Sequence, residues 1–123
     1  MKDNLIYLSH ILESISHIEN FSKNLTKKTF CNDRLRQSAI VRELEIIGEA
    51  VKNLSLDFRK NNSKIKWNLI AGLRDKLIHH YFGINLERVW NVIQYDLPVL
   101  KKQIGEINNE KKKVEKISKV KRK

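Results

Sequence analysis

Apolar residues recur along this chain at spacings of three and four, and no stretch alternates with period two for long. Leu5, Leu8, Leu12, Ile15 and Ile18 mark one face of a first helix, with Asp3 available as its N-cap. The mostly polar segment SKNLTKKTF, at 22–30, breaks it. A longer helix starts near Asn32 or Asp33, and Ile40, Leu44, Ile47, Val51 and Leu54 give it a clean buried face. Ile46 and Ala50 widen that face, and Gly48, which has no Cβ, lets another helix approach closely. SLDFRKNNS, at 55–63, is polar and predicts a connection with a short turn around Phe58.

The spacing of Ile70, Leu73 and Leu77 predicts a third helix from about Trp67 to Phe82, with Gly83 where a C-cap glycine belongs. Asn85 caps a fourth, in which Leu86, Trp90, Ile93, Leu97, Leu100, Ile104 and Ile107 repeat at four and three. Pro98 lies inside that pattern and predicts a bend, because proline removes one backbone donor and crowds the preceding turn. Val114, Ile117 and Val120 carry the period raggedly onward. Four amphipathic helices with short connections predict an all-α, antiparallel up-and-down bundle. The division expected is a helical domain over 1–108 and a basic tail over 109–123, a helix extension or a disordered segment.

Composition narrows the class. The 123 residues suit one domain with a real core, and 41% hydrophobic with 32% charged content suits a soluble chain. No apolar run approaches the roughly 18 residues of a membrane span, and the opening MKDNLIYLSH lacks the order of a signal peptide. A cytoplasmic protein without a membrane partner is expected. Cys31 is the single cysteine, so an intrachain disulfide and a cysteine-based zinc site are excluded, and a buried or half-buried thiol is expected. The net charge is +11, of which 109–123 supplies +6. The remaining +5 keeps a polyanion such as RNA in play even without the tail.

The candidate chemistry lies in RDKLIHHY, residues 74–81, placed at the end of the third helix. At about 100° per residue, Arg74, Ile78 and Tyr81 share a face, whereas His79 stands roughly 140° from Arg74 and His80 about 120° the other way. Two arrangements bring Arg74 and His79 to one substrate: the helix end loosens before Gly83, or two copies face each other. A guanidinium fits phosphate oxygens and the charge that builds on them during cleavage. An imidazole with a reference pKa near roughly 6.5 takes a proton from a ribose 2′-hydroxyl at neutral pH. Attack of that oxygen on the adjacent phosphorus needs neither metal nor cofactor and leaves a 2′,3′-cyclic phosphate. A plain alternative is a polar helix end whose basic groups complement the dipole. Adjacent histidines point about 100° apart, so His79 and His80 are poor joint metal ligands.

Three blocks in order carry a resemblance: AIVRELEIIGEAVKNLS at 39–55, IKWNLIAGLRDKLIHHYFGINLERVW at 65–90 and DLPVLKKQI at 96–104. Together they resemble the HepT-like toxins of the HEPN superfamily. The resemblance implies a four-to-five-helix bundle that forms a homodimer, with two Arg-x4-His-x-Tyr motifs lining a shared cleft. It implies a metal-independent RNase in a toxin–antitoxin pair, with RNA as substrate and a small MntA-like nucleotidyltransferase as partner. Carried onto this sequence, Arg74 and His79 match the catalytic positions and Tyr81 the tyrosine that the partner adenylylates. Asp75 stands where the family has a polar residue that orients the arginine. His80 departs from the family's acidic or small polar residue, and its alternatives are assisting, competing as the base, or facing solvent. Two other classes compete with the toxin: a non-catalytic adapter subunit of a nucleotidyltransferase, and a basic nucleic-acid-binding module working through the tail.

Overall fold

Heptad-like stripes can be satisfied only where helices find partners, and the computed structural model supplies them. It describes residues 2–79 and 83–121, with the backbone alone at 2, 3, 74, 78, 79 and 110–121. The fold is all-α, 83% helical, and the described residues include a minimal strand pair. Helix α1 runs over Lys2–Ser22, α2 over Lys27–Cys31, α3 over Arg34–Asn53 and α4 over Leu56–Asn61. Next come α5 over Trp67–Ala71, α6 over Leu73–Leu77, and strands β1 over Ile78–His79 and β2 over Gly83–Ile84. Helix α7 spans Leu86–Asn91, a π-helical turn Val92–Asp96, and α8 Leu97–Lys121.

Helix α3 is the hub, packing against α1, α2, α5 and α6. Its predicted stripe is buried throughout: Ile40, Leu44, Ile47, Val51 and Leu54 are each at most 3% exposed. Its start is Asp33, whose carboxylate accepts from the Arg36 amide and pairs with the Arg36 guanidinium at 2.6 Å. These contacts hold the Asp33 carboxyl below its usual range, the backbone hydrogen bond most of all. Gly48 meets α5 as expected: a Cβ there would lie 3.4 Å from the Ala71 carbonyl oxygen and 3.5 Å from that of Ile70.

Several expectations need correction. On α1 the core face is Leu8, Ile11, Ile15 and Ile18, while Leu5 is 37% exposed and Leu12 only partly buried. Asp3 lies within the first turn of α1 rather than before it. The polar 22–30 segment holds α2, started by a capping box of Thr26 and Thr29, and the 55–63 connection holds α4, capped by Ser55. Cys31 is exposed, because only Phe30 of α2 turns inward.

The largest correction concerns the third helix. It pauses at Gly72, ends at Leu77 and gives way to an antiparallel pair with Ile78 opposite Ile84 and His79 opposite Gly83. Gly83, at φ +78°, therefore serves a hairpin and not a helix C-cap. In the fourth segment the change of course precedes Pro98. The Leu97 amide donates to Val92, five residues back, so a wide turn comes just before the proline. Pro98 then sits in the first turn of α8, where its missing N–H is tolerated. Among the described residues no helix is long and apolar enough to cross a membrane.

Candidate active site

The motif sits where helix turns into hairpin. Trp67 opens α5, 4% exposed, and its indole N–H donates to the Asn62 carbonyl at 3.1 Å. Close approach of Gly48 to the end of α5 fixes the Gly72 corner, where the Gly72 amide donates back to the Asn68 carbonyl. From that corner α6 carries Arg74 and Asp75, and it is anchored by Leu77, 2% exposed, against α3 and α7.

Leu77 also ends the helix in a specific way. Its carbonyl accepts from the Asn85 amide at 2.8 Å, so the chain leaving α6 and the chain entering α7 are tied at one point. The Asn85 side-chain oxygen accepts from the Arg88 amide at 3.2 Å and starts α7. Beneath α7, Val89 is fully buried and Trp90 stacks on Phe30 with ring centroids 5.5 Å apart. Both roots of the hairpin are therefore fastened to the core.

This alters the geometry expected of the motif. Arg74 lies on helix and His79 on strand, so the 140° separation of an unbroken helix does not apply. Three helical steps separate Cα atoms by roughly 5 Å and two extended steps by roughly 7 Å, so the two Cα atoms are within about 12 Å. Of the two arrangements considered, the helix end does loosen before Gly83. Asp75 is exposed on α6. His80 and Tyr81 lie outside the described residues, as does Phe82. Among the described residues, no cluster of His, Cys, Asp and Glu side chains is arranged to hold a metal ion.

Sequence reasoning passed over Asn85 as a hairpin clamp, seeing it only as a cap. The signal was present: a β-branched and aromatic run, IHHYF, followed by glycine, is hairpin composition. A close His–Glu contact lies apart from the motif, between α1 and α3. His17 Nδ1 stands 2.6 Å from Glu43 Oε1, and Glu43 is 7% exposed. The hydrogen bond to Glu43 raises the His17 pKa above its ordinary value, with smaller help from the charges of Glu43 and Glu13 and opposition from desolvation.

The family model described as "Ribonuclease HepT-like" matches residues 11–107, which include every element from the middle of α1 into α8. A protein of Caldanaerobacter subterraneus subsp. tengcongensis named "Putative RNase" is 46% identical over 112 residues, 91% of this chain and all of that protein. A "Probable ribonuclease HepT" of Thermococcus cleftensis is 43% identical over 95 residues, 77% of this chain and 86% of that one. A Methanocaldococcus jannaschii protein named "Gamma-glutamylcyclotransferase and putative RNase" is 46% identical over 109 residues, 89% of this chain. The chain spans only about half (49%) of its length. No solved structure gives a significant match.

Proposed function

The chain belongs to the ribonuclease HepT-like family of the HEPN superfamily, and from that premise we propose that it is an endoribonuclease toxin using Arg74 and His79. The observation that carries this reading is the switch from helix to hairpin between the two residues, fastened by the Leu77–Asn85 hydrogen bond. Arg74 then lies on a helix and His79 on a strand, and a short backbone path between two such elements supports their joint action on one phosphodiester.

In the proposed reaction His79 accepts the proton of a ribose 2′-hydroxyl. The 2′-oxygen forms a bond to phosphorus, the bond to the 5′-oxygen breaks, and that oxygen takes a proton from water, whose hydroxide recovers the proton held by His79. Arg74 donates to the non-bridging oxygens, whose charge grows on the way. The products are a 2′,3′-cyclic phosphate and a 5′-hydroxyl, with no metal required. Asp75 is assigned to orienting Arg74. His80 keeps its alternatives of assisting, competing as the base, or facing solvent. A homodimer with both motifs in one cleft is part of this reading.

Control by a nucleotidyltransferase partner fits the same chemistry. Adenylylation of Tyr81 would place a bulky anion two residues from His79, where RNA phosphate would otherwise bind. Steric block and charge competition would both silence cleavage. The test is expression of the wild type, Arg74→Ala and His79→Ala without a partner. The proposal expects arrested growth and degraded RNA only in the wild type. Equal growth and intact RNA in all three, with folded protein confirmed, would favour the adapter subunit instead.

A further inference from the structure

Residues 58–74 hold five cations, Arg59, Lys60, Lys64, Lys66 and Arg74, and no carboxylate. The fold turns part of this strip into a cleft of about 540 Å³ between α4 and α5. Arg59, Lys60 and Lys66 line it, Trp67 helps form its wall, and Leu56 and Leu69 expose 70% and 49% of their surface beside it. We propose that this cleft is a subsite for single-stranded RNA, taking backbone phosphates that flank the one cleaved. The inference rests on the RNase reading above and adds a substrate-binding surface outside the Arg-x4-His motif.

Three observations favour RNA. None of the three cations pairs with a carboxylate among the described residues, unlike Lys27 with Glu87 and Lys101 with Glu19. Unpaired cations walled by low-dielectric protein concentrate positive potential, the usual cradle of a phosphate chain. A cleft of similar size between α1 and α3, about 560 Å³, mixes Arg42 and Lys52 with Glu45 and Glu49 and offers no such field. Arg59 enters the wall with its Nε buried and without an acceptor among the described residues. Its buried stem restricts the side chain that lines the cleft, and the unmet donor leaves it open to a phosphate oxygen.

Continuity is the third observation. Leu69 of the cleft precedes Arg74 by five residues, at most about 18 Å of chain, and the strip between them carries no negative charge. A strand whose scissile phosphate meets Arg74 thus reaches the cleft within a few nucleotides. The exposed aliphatic groups of Leu56 and Leu69 give its bases an apolar surface without reading sequence.

The test uses the full chain and a labelled 2′-O-methyl uridine 12-mer, which offers no 2′-hydroxyl and is not cleaved. Binding is measured by anisotropy across salt concentrations. The triple variant Arg59→Gln/Lys60→Ala/Lys66→Ala is compared with Lys23→Ala/Lys28→Ala/Arg34→Ala, which loses equal charge elsewhere. Lys60→Glu/Lys66→Glu, at two exposed positions, guards against misfolding of the Arg59 variant. The cleft triple should weaken binding tenfold or more and flatten the log–log salt slope by about 2, at roughly 0.7 per lost phosphate contact. The distal triple should lose less than threefold. Equal losses in the two triples, or unchanged binding in the cleft variants, would overturn the subsite and leave the cleft to another occupant such as an acidic protein. Absence of cleavage by the wild type bears on the RNase reading alone, because this probe reports binding without chemistry.

Discussion

The Asn85 amide donates to the Leu77 carbonyl at 2.8 Å, and this one bond ties the last residue of α6 to the first cap of α7. Just beyond that bond, Ile78 pairs with Ile84 and His79 with Gly83. The side chain of Asn85 works on the other side of the same junction by capping α7. Asn85→Ala should cost about 1 kcal/mol, lowering Tm by roughly 4 °C in a domain of this size. Asn85→Asp, which keeps the cap, should stay near wild type. Thermal melts of the two variants check this.

Gly83 lies at φ +78° opposite His79, a conformation that costs an L side chain about 1–2 kcal/mol. No atom stands within 4 Å of a Cβ placed there, so Gly83→Ala strains the backbone without a clash. RNA cleavage by Gly83→Ala should fall more than its loss of stability explains, because the hairpin that carries His79 is what shifts. Activity and melting temperature measured on one preparation separate the two effects.

Gly48 tests the approach of α5. A methyl group at 3.4 Å from the Ala71 oxygen is an ordinary contact, and alanine is favoured over glycine inside a helix by up to about 1 kcal/mol. Gly48→Ala should therefore be neutral or slightly stabilising. Gly48→Leu has no space against the same carbonyls and should cost about 1–3 kcal/mol. Denaturant unfolding of both variants distinguishes the cases.

His17 makes stability depend on pH. Its folded pKa is raised by the bond to Glu43, so its contribution is fully present below the ordinary value near 6.5 and is lost as pH rises through the folded value. Melting temperatures between pH 5.5 and 8.5 should fall more steeply in the wild type than in His17→Gln. Parallel curves would remove His17 from the account.

The parts of this fold that were legible in the sequence are those where one stripe meets one neighbour. The α3 stripe from Ile40 to Leu54 is buried residue for residue. In α1, Leu5, Ile6, Leu8, Ile11 and Leu12 offer two overlapping stripes, and only packing on α3 selects Leu8 and Ile11. Ile70, Leu73 and Leu77 keep helical spacing up to Leu77, so period alone carried the third helix too far. What ends it is a tight hairpin, the pairing of His79 with Gly83 and of Leu77 with Asn85, whose trace in the sequence is the IHHYF run before Gly83 and not the apolar period. The π-helical turn before Pro98 is likewise a backbone solution, with the proline as its only trace in the sequence. The motif residues were identifiable as a set, but their relation in space was not, because it depends on that hairpin.

The central claim is that Arg74 and His79 cut RNA through the 2′-hydroxyl. The most direct measurement is cleavage of a defined RNA by the purified chain in a metal chelator, with fragment ends read by mass spectrometry. The account predicts 2′,3′-cyclic phosphate ends from the wild type. Losses should be about 10² to 10⁴ in rate for His79→Ala and about 10² to 10³ for Arg74→Ala. A 2′-deoxy substitution at the cut site should stop cleavage altogether. Equal cleavage by both variants, or cleavage that survives the 2′-deoxy substitution, would contradict it.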